Sequence, residues 1–205
     1  METTDSRDRL DSAIDRIAAR SVVLVEGMSD KLALEALAAR RGRDLDAEAV
    51  AVVSMAGSKN IRRFLDRYGP AGLGLRLAGL CDAPEEGDFR RGLERAGFGP
   101  DLSRDDMERL GFFVCDADLE EELIRALGPE AMERVIDELG QAGMWRTFRK
   151  QPEWRDRSVE DQLRRFLGTG SGRKIRSAPL MVRALDLDQV PAPLDGVLAH
   201  ALRRD

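Results

Sequence analysis

Residues 21–40, SVVLVEGMSDKLALEALAAR, restrict the fold more than any other stretch of the chain. Val22 to Val25 form an apolar run that stops at Glu26 and Gly27. Ser29 and Asp30 then open a segment in which Leu32, Leu34, Leu37 and Ala38 recur at helical spacing. An apolar run, a glycine turn and a capped amphipathic segment predict a strand–turn–helix unit. Open α/β sheets bind ligands outside the carboxyl ends of their strands, so Glu26 falls where chemistry is expected.

The same pattern recurs downstream. Ala49–Ser54 reads as a second buried strand, followed by the small-residue turn 55–60 and a helix through Ile61, Phe64, Leu65 and Tyr68. Leu73–Cys81 alternates as a third strand ending on Asp82, and Phe89, Leu93 and Ala96 mark a short helix. Gly111–Cys115 is a fourth strand ending on Asp116, with an acidic helix over 117–127. Strands alternating with helical crossovers predict a mostly parallel four-stranded sheet flanked by helices, an α/β Rossmann-like class. A lead-in helix is expected over residues 8–20, on Leu10, Ile14 and Ile17. Past Gly128-Pro129 the pattern becomes helical throughout, which sets a boundary between a core at 20–128 and a C-terminal helical extension at 129–205. Within that extension, Met144, Trp145, Phe148 and Trp154 are expected to cover the sheet's edge or face.

Composition narrows the function. Apolar residues make up 42% of the 205 and charged residues 35%, enough for a core in a globular chain. No apolar run approaches the ~20 residues of a membrane span. The polar start is unlike a signal peptide, and two cysteines do not make a disulfide framework, so a cytoplasmic location is expected. The single histidine, His200, reads as a surface residue, which leaves no basis for a histidine triad or a His-rich zinc site. A net charge of −5 argues against gripping nucleic acid by bulk charge. Carboxylates loaded with divalent cations would nonetheless present a positive face to phosphate.

Three strand ends carry acids: Glu26; Asp82 with Glu85 and Glu86; and Asp116 with Asp118 and Glu120. A parallel sheet brings these ends to one edge, where converging carboxylates repel one another unless a divalent cation compensates. The plain alternative is that each acid caps a helix or complements its dipole. On the acidic helix, Leu119, Leu123 and Leu127 define an apolar stripe that contains Glu120, whereas Glu121 points to solvent. Glu122 is not decided by the periodicity. The Gly-rich stretch 168–174 lacks the Lys-Ser/Thr ending of a P-loop. Its Arg173 and Lys174 can still reach a phosphate, or form an exposed basic loop. Cys81 and Cys115 read as buried thiols, and Tyr68 as a packing residue. Trp145 and Trp154, near Arg146, Arg149, Lys150 and Arg155, form either a nucleic-acid surface or a packed patch with a basic rim.

Together, VLVEGMSD at 23–30, LCDAPEE at 80–86 and DLEEE at 118–122 resemble the TOPRIM domain. More narrowly they resemble the TOPRIM of the overcoming-lysogenization-defect (OLD) nucleases, over residues 20–128. Lys174, in SGRKIRSAPL, resembles the basic residue that follows that core. The resemblance implies a phosphodiester hydrolase acting on DNA with Mg²⁺ or Mn²⁺, two ions in all, in the two-metal manner. Glu26 then matches the first-strand glutamate, a metal ligand or general acid/base, and Asp30 the acid four residues later. Gly27 is the turn that lets the backbone approach metal and phosphate, and Arg173 and Lys174 contact phosphate. Asp82 matches the leading residue of an Asp-x-Asp pair, Glu120 the helix ligand, and Lys174 the lysine that stabilises the transition state.

Pro84 stands where the second Asp belongs, which leaves Glu85 and Glu86 as its substitutes. OLD proteins carry an ATPase domain before the TOPRIM, so the resemblance also implies a stand-alone form or a separate ATPase partner. Two other readings stay open, a nucleotidyl transferase of the primase type and a non-catalytic interaction module.

Overall fold

The computed structural model describes residues 18–170 and 172–203. The expected lead-in helix falls almost wholly outside them. Four strands form a single all-parallel sheet in the order β2-β1-β3-β4, with β1 at Ser21–Val25, β2 at Val50–Ser54, β3 at Arg76–Asp82 and β4 at Phe112–Cys115. The crossovers are helical: α1 (Met28–Arg40) joins β1 to β2, and α2 (Ile61–Tyr68) joins β2 to β3. Two short helices, α3 (Glu86–Arg95) and α4 (Arg104–Arg109), lead to β4. The chain steps from β1 outward to β2 and later from β3 outward to β4. The order therefore reverses between the two central strands, where a crevice opens at their carboxyl ends. Glu26 and Asp82 sit at those two ends.

Alternation along the strands sorts the core into two layers. Val23, Val25, Ala78 and Leu80 face one side, and Val22, Leu24, Leu77 and Cys81 the other. Val22 to Val25 are completely buried, as a strand covered on both faces requires. Each such side chain contributes roughly 1.5–3 kcal/mol by leaving water. Helices α2, α3 and α4 pack on the second face through Phe64, Tyr68, Phe89 and Met107. Tyr68 is buried there, beside Phe64.

The first face is closed by α1 together with the C-terminal helices: α5 (Leu119–Glu138), α6 (Ala142–Phe148), α7 (Val159–Thr169), α8 (Arg173–Ala184) and α9 (Ala192–Ala201). Helix α8 lies against α1 and α5, and α9 against β3 and β4. The break expected at Gly128-Pro129 is a kink inside α5, where Gly128 leaves the helix with φ 72° and ψ 168°. Gly172 is left-handed (φ 67°) and turns the chain into α8.

Two local readings need correction, those of Met144 and His200. Met144 is exposed. Trp145 is buried and packs with Phe148 and Phe166, and Phe148 stacks on Trp154 with ring centroids 5.5 Å apart. His200 is half-buried against Gly111, and burial holds its imidazole below the usual pKa. Cys81 and Cys115 are free and buried. Burial, reinforced by nearby carboxylates, raises both thiols and keeps them protonated. Among the described residues, no helix is long and apolar enough to cross a membrane.

Candidate active site

The carboxyl ends of β1 and β3 are joined through side chains. Glu26 accepts a hydrogen bond from the Asp82 backbone N–H at 3.0 Å, and Asp82 accepts one from the Leu119 N–H at 3.1 Å. Asp82 thereby sits at the start of α5, where unpaired amides and the helix dipole favour negative charge. Asp30 is buried in the first turn of α1 and accepts the Gly27 N–H at 2.8 Å. Gly27 itself is extended (φ −131°), and its surroundings leave room for a Cβ. What it supplies is open surface rather than an unusual turn.

One carboxylate oxygen from each of Glu26, Asp82 and Glu85 lies within 4.8 Å of the other two. A 3-10 turn over Ala83–Glu85, which contains Pro84, carries Glu85 back toward the strand ends. Glu86 goes elsewhere. It begins α3 and is held by Arg90 and by Arg104, whose Nη2 lies 2.7 Å away. The Arg104 hydrogen bond keeps the Glu86 carboxyl below its usual range. Asp116 is likewise turned outward, toward Arg104 and Arg125.

Beyond Asp82 lies a second group. Glu120 is buried on the packed side of α5, and the Lys174 ammonium donates to its Oε2 at 3.1 Å. Asp118 caps α5 through the Glu121 N–H and stands 4.0 Å from Lys174. Glu121, expected in solvent, is instead half-buried and paired with Arg164 and Arg125. Glu122 is buried and accepts the Asp116 N–H. Arg173, although adjacent to Lys174, faces inward. Its guanidinium donates to the Gln141 side chain (2.6 Å), the Phe166 carbonyl and Thr169, and lies over the Phe166 ring.

The electrostatics set the first group apart. Burial, then repulsion from Asp30, Glu26, Glu120 and Asp118, pushes the Asp82 carboxyl up to about 8. Burial is also the main cause at Glu26, raised to about 7, and at Asp30, raised to about 6. Among the described residues, no cationic side chain comes within ion-pair distance of Glu26, Asp82 or Glu85. Burial works against the Lys174 ammonium, but Glu120, Asp118 and Asp82 outweigh it and hold its pKa above the ordinary value. Three hard oxygen donors with uncompensated charge suit Mg²⁺ or Mn²⁺. The donor set therefore fits a divalent cation.

An all-parallel sheet of order 2-1-3-4, with carboxylates gathered where its two central strands end, is a TOPRIM-like α/β fold. More particularly, residues 18–83 match the family described as the overcoming lysogenization defect protein-like TOPRIM domain. The whole fold is similar to the C-terminal region of the Burkholderia pseudomallei OLD protein, with TM-score 0.69 and 22% identity over 90% of this chain and 97% of that one. It is equally similar to the C-terminal region of the Xanthomonas campestris pv. campestris OLD protein, with TM-score 0.69 and 25% identity over 90% of this chain and 92% of that one. No curated protein matches the sequence.

The sequence alone marks Glu26, Asp82 and Glu120 by strand ends and helix periodicity, and Asp30 by the family resemblance. It names Asp118 only as one of the acids after the fourth strand, and it misses Gln141, whose contact with Arg173 forms across elements. Asp118 offers one signal, its position as N-cap of the acidic helix.

Proposed function

We propose that the chain is a metal-dependent phosphodiester hydrolase acting on DNA, with its centre at Glu26, Asp82 and Glu85. The observation that carries this reading is the convergence of those three carboxylates, without a cationic partner, at the switch point of a TOPRIM-type sheet. Glu26, Asp82 and Glu85 would hold one divalent cation. Asp30 and Glu120 supply carboxylates for a second, beside Lys174. A cation bound there would supply Lewis acidity toward a phosphate oxygen.

The chain's own groups do the rest. In the metal-free protein burial raises the Glu26 carboxyl to about 7, so a cation that it helps to hold would displace its proton. Asp82 and the Leu119 amide fix its neighbour strand against α5, so the carboxylates keep their spacing. Lys174 stays charged and is held by Glu120 at the rim, where it can meet a phosphate oxygen as negative charge develops. Glu85 takes the place left by Pro84, which favours a catalytic site over a purely interacting one. A separate ATPase partner remains part of the reading.

Plasmid nicking with Mg²⁺ or Mn²⁺ tests it, comparing wild type with Glu26→Gln and Lys174→Ala. Each substitution is expected to slow nicking by about 10²–10³-fold, the range for losing one transition-state contact. Cleavage untouched by either would sink the site assignment. Absence of both cleavage and calorimetric metal binding would point to an interaction module, and nucleotide joined to a primer would point to a transferase.

A further inference from the structure

Lys174 and Asp118 also border a second feature, a groove of about 500 Å³ between α7 and the loop that follows α6. Its other walls include Trp154, Arg157, Arg164 and Arg165. On α7, residues 161, 164, 165 and 168 are spaced as one helical face, and Gly168 leaves that face open at its far end. Arg164 is occupied by Asp118 and Glu121. Arg157 and Arg165 are exposed, and among the described residues neither lies within ion-pair distance of a carboxylate. Asp161 is the remaining acid in the wall, so cations outnumber acids here on a chain whose net charge is −5.

The loop is built rather than loose. Gln162 is 97% buried (3% exposed), and its amide donates to the carbonyls of Trp154 (2.8 Å) and Arg157 (3.0 Å). Its oxygen accepts from Arg149 at 3.2 Å. Trp154 rests on Phe148 at 5.5 Å, and the Arg165 guanidinium lies 5.8 Å from the Trp154 ring centre. One buried glutamine thus fixes the loop that carries Trp154 and Arg157 into the wall of a channel that begins at Lys174.

We propose that this groove binds an unpaired strand of nucleic acid flanking the phosphate held at the carboxylate site. Arginine and lysine neutralise backbone phosphates, and a half-exposed tryptophan with an arginine over its ring gives an unpaired base an aromatic and cationic contact that a paired base does not reach. The groove's continuity with Lys174 gives the strand a direction, from the reacting phosphate out along α7. The location rests on the hydrolase reading, but the binding does not require it.

The test is fluorescence anisotropy of a labelled oligo-dT with the full chain in EDTA, alongside quenching of tryptophan emission. Arg157→Ala, Arg165→Ala and Trp154→Phe are each expected to weaken binding by roughly tenfold, and the arginine variants to reduce its salt dependence. Arg183→Ala, remote on α8 and paired with Glu138, serves as the charge-matched control and should bind as wild type. Melting temperatures check that Trp154→Phe keeps the loop. Should it not, the two arginine variants decide.

Wild-type binding in the groove variants overturns the proposal, as does equal binding of a duplex or displacement by an acidic peptide. Glu26→Gln, which should slow cleavage by about 10²–10³-fold, is expected to bind the strand normally. Strand binding without any cleavage would defeat the hydrolase reading alone. Cleavage with unchanged binding and KM in the groove variants would defeat this one alone.

Discussion

Glu85 and Glu86 are sequence neighbours that the fold sends in different directions. The 3-10 turn that contains Pro84 ends at Glu85 and aims it at the strand ends, while Glu86, first residue of α3, meets Arg90 one turn later and Arg104 from α4. Substitutions should separate them. Glu85→Gln is expected to weaken Mn²⁺ binding by on the order of tenfold or more, the scale on which metal sites respond to altered partners. Glu86→Gln should leave binding within about twofold of wild type, because its charge is already satisfied by two arginines. Isothermal calorimetry reads both, and equal losses would place Glu86 in the site. The sequence reading located Glu26 and Asp82 because the end of an apolar run is visible in one dimension. It could not choose between residues 85 and 86, and it preferred 174 to 173 only through the family resemblance. Those choices depend on turn geometry and on partners such as Arg104 and Gln141, which lie tens of residues away.

Among the elements, α8 governs the position of Lys174, and it is tied at both ends. Arg173 fastens its first turn to Gln141, Phe166 and Thr169, and Arg40 of α1 donates to the carbonyls of Val182 (2.8 Å) and Leu185 (2.5 Å) at its last. Those carbonyls are among the unpaired acceptors that every helix end must satisfy. Arg173→Met keeps much of the side-chain volume but strands the Gln141 oxygen and the Phe166 carbonyl in a buried setting. Losing charged hydrogen bonds of this kind costs about 2–3 kcal/mol, or a fall of about 5–10 °C in melting temperature for a chain of this size. Lysine at 173 should recover little, since an ammonium lacks the planar fork that reaches separate acceptors. A wild-type melting temperature in Arg173→Met would show that α8 is fixed without this anchor. Leu180, Val182 and Leu185 suggest a helix, but Arg173 and Lys174, read as the end of a Gly-rich loop, form its first turn. Its packing against α1 was not legible, because a helix's apolar stripe does not name the element it will cover.

For the molecule as a whole, gathering carboxylates at one sheet edge has a thermodynamic consequence that depends on pH. Glu26, Asp30 and Asp82 have folded pKa values near 7, 6 and 8, against ordinary values of 4.5, 3.8 and 3.8. In metal-free protein the folded state therefore keeps protons that the unfolded chain releases, and stability must fall as pH rises through this window, from about 4 to 8. The contribution is fully present below the unfolded values and lost above the folded ones. Glu86 and Asp88 carry the opposite shift, but theirs acts below their ordinary values and so outside the window; inside it, His200, held below 6.5 by burial, opposes the trend of the three carboxyls. A divalent cation binds the deprotonated carboxylates and should reverse the trend, with a stabilisation that grows with pH. At a hundredfold excess over its dissociation constant it would add about 2.7 kcal/mol. Melting temperatures across this pH range, in EDTA and in Mg²⁺, are the measurement. Asp82→Asn removes the group with the largest shift, so it should flatten the decline in EDTA and shrink the response to Mg²⁺. An unchanged slope in that variant would mean that Asp82 does not hold its proton in the folded state, and that the strain of assembling this edge is carried elsewhere.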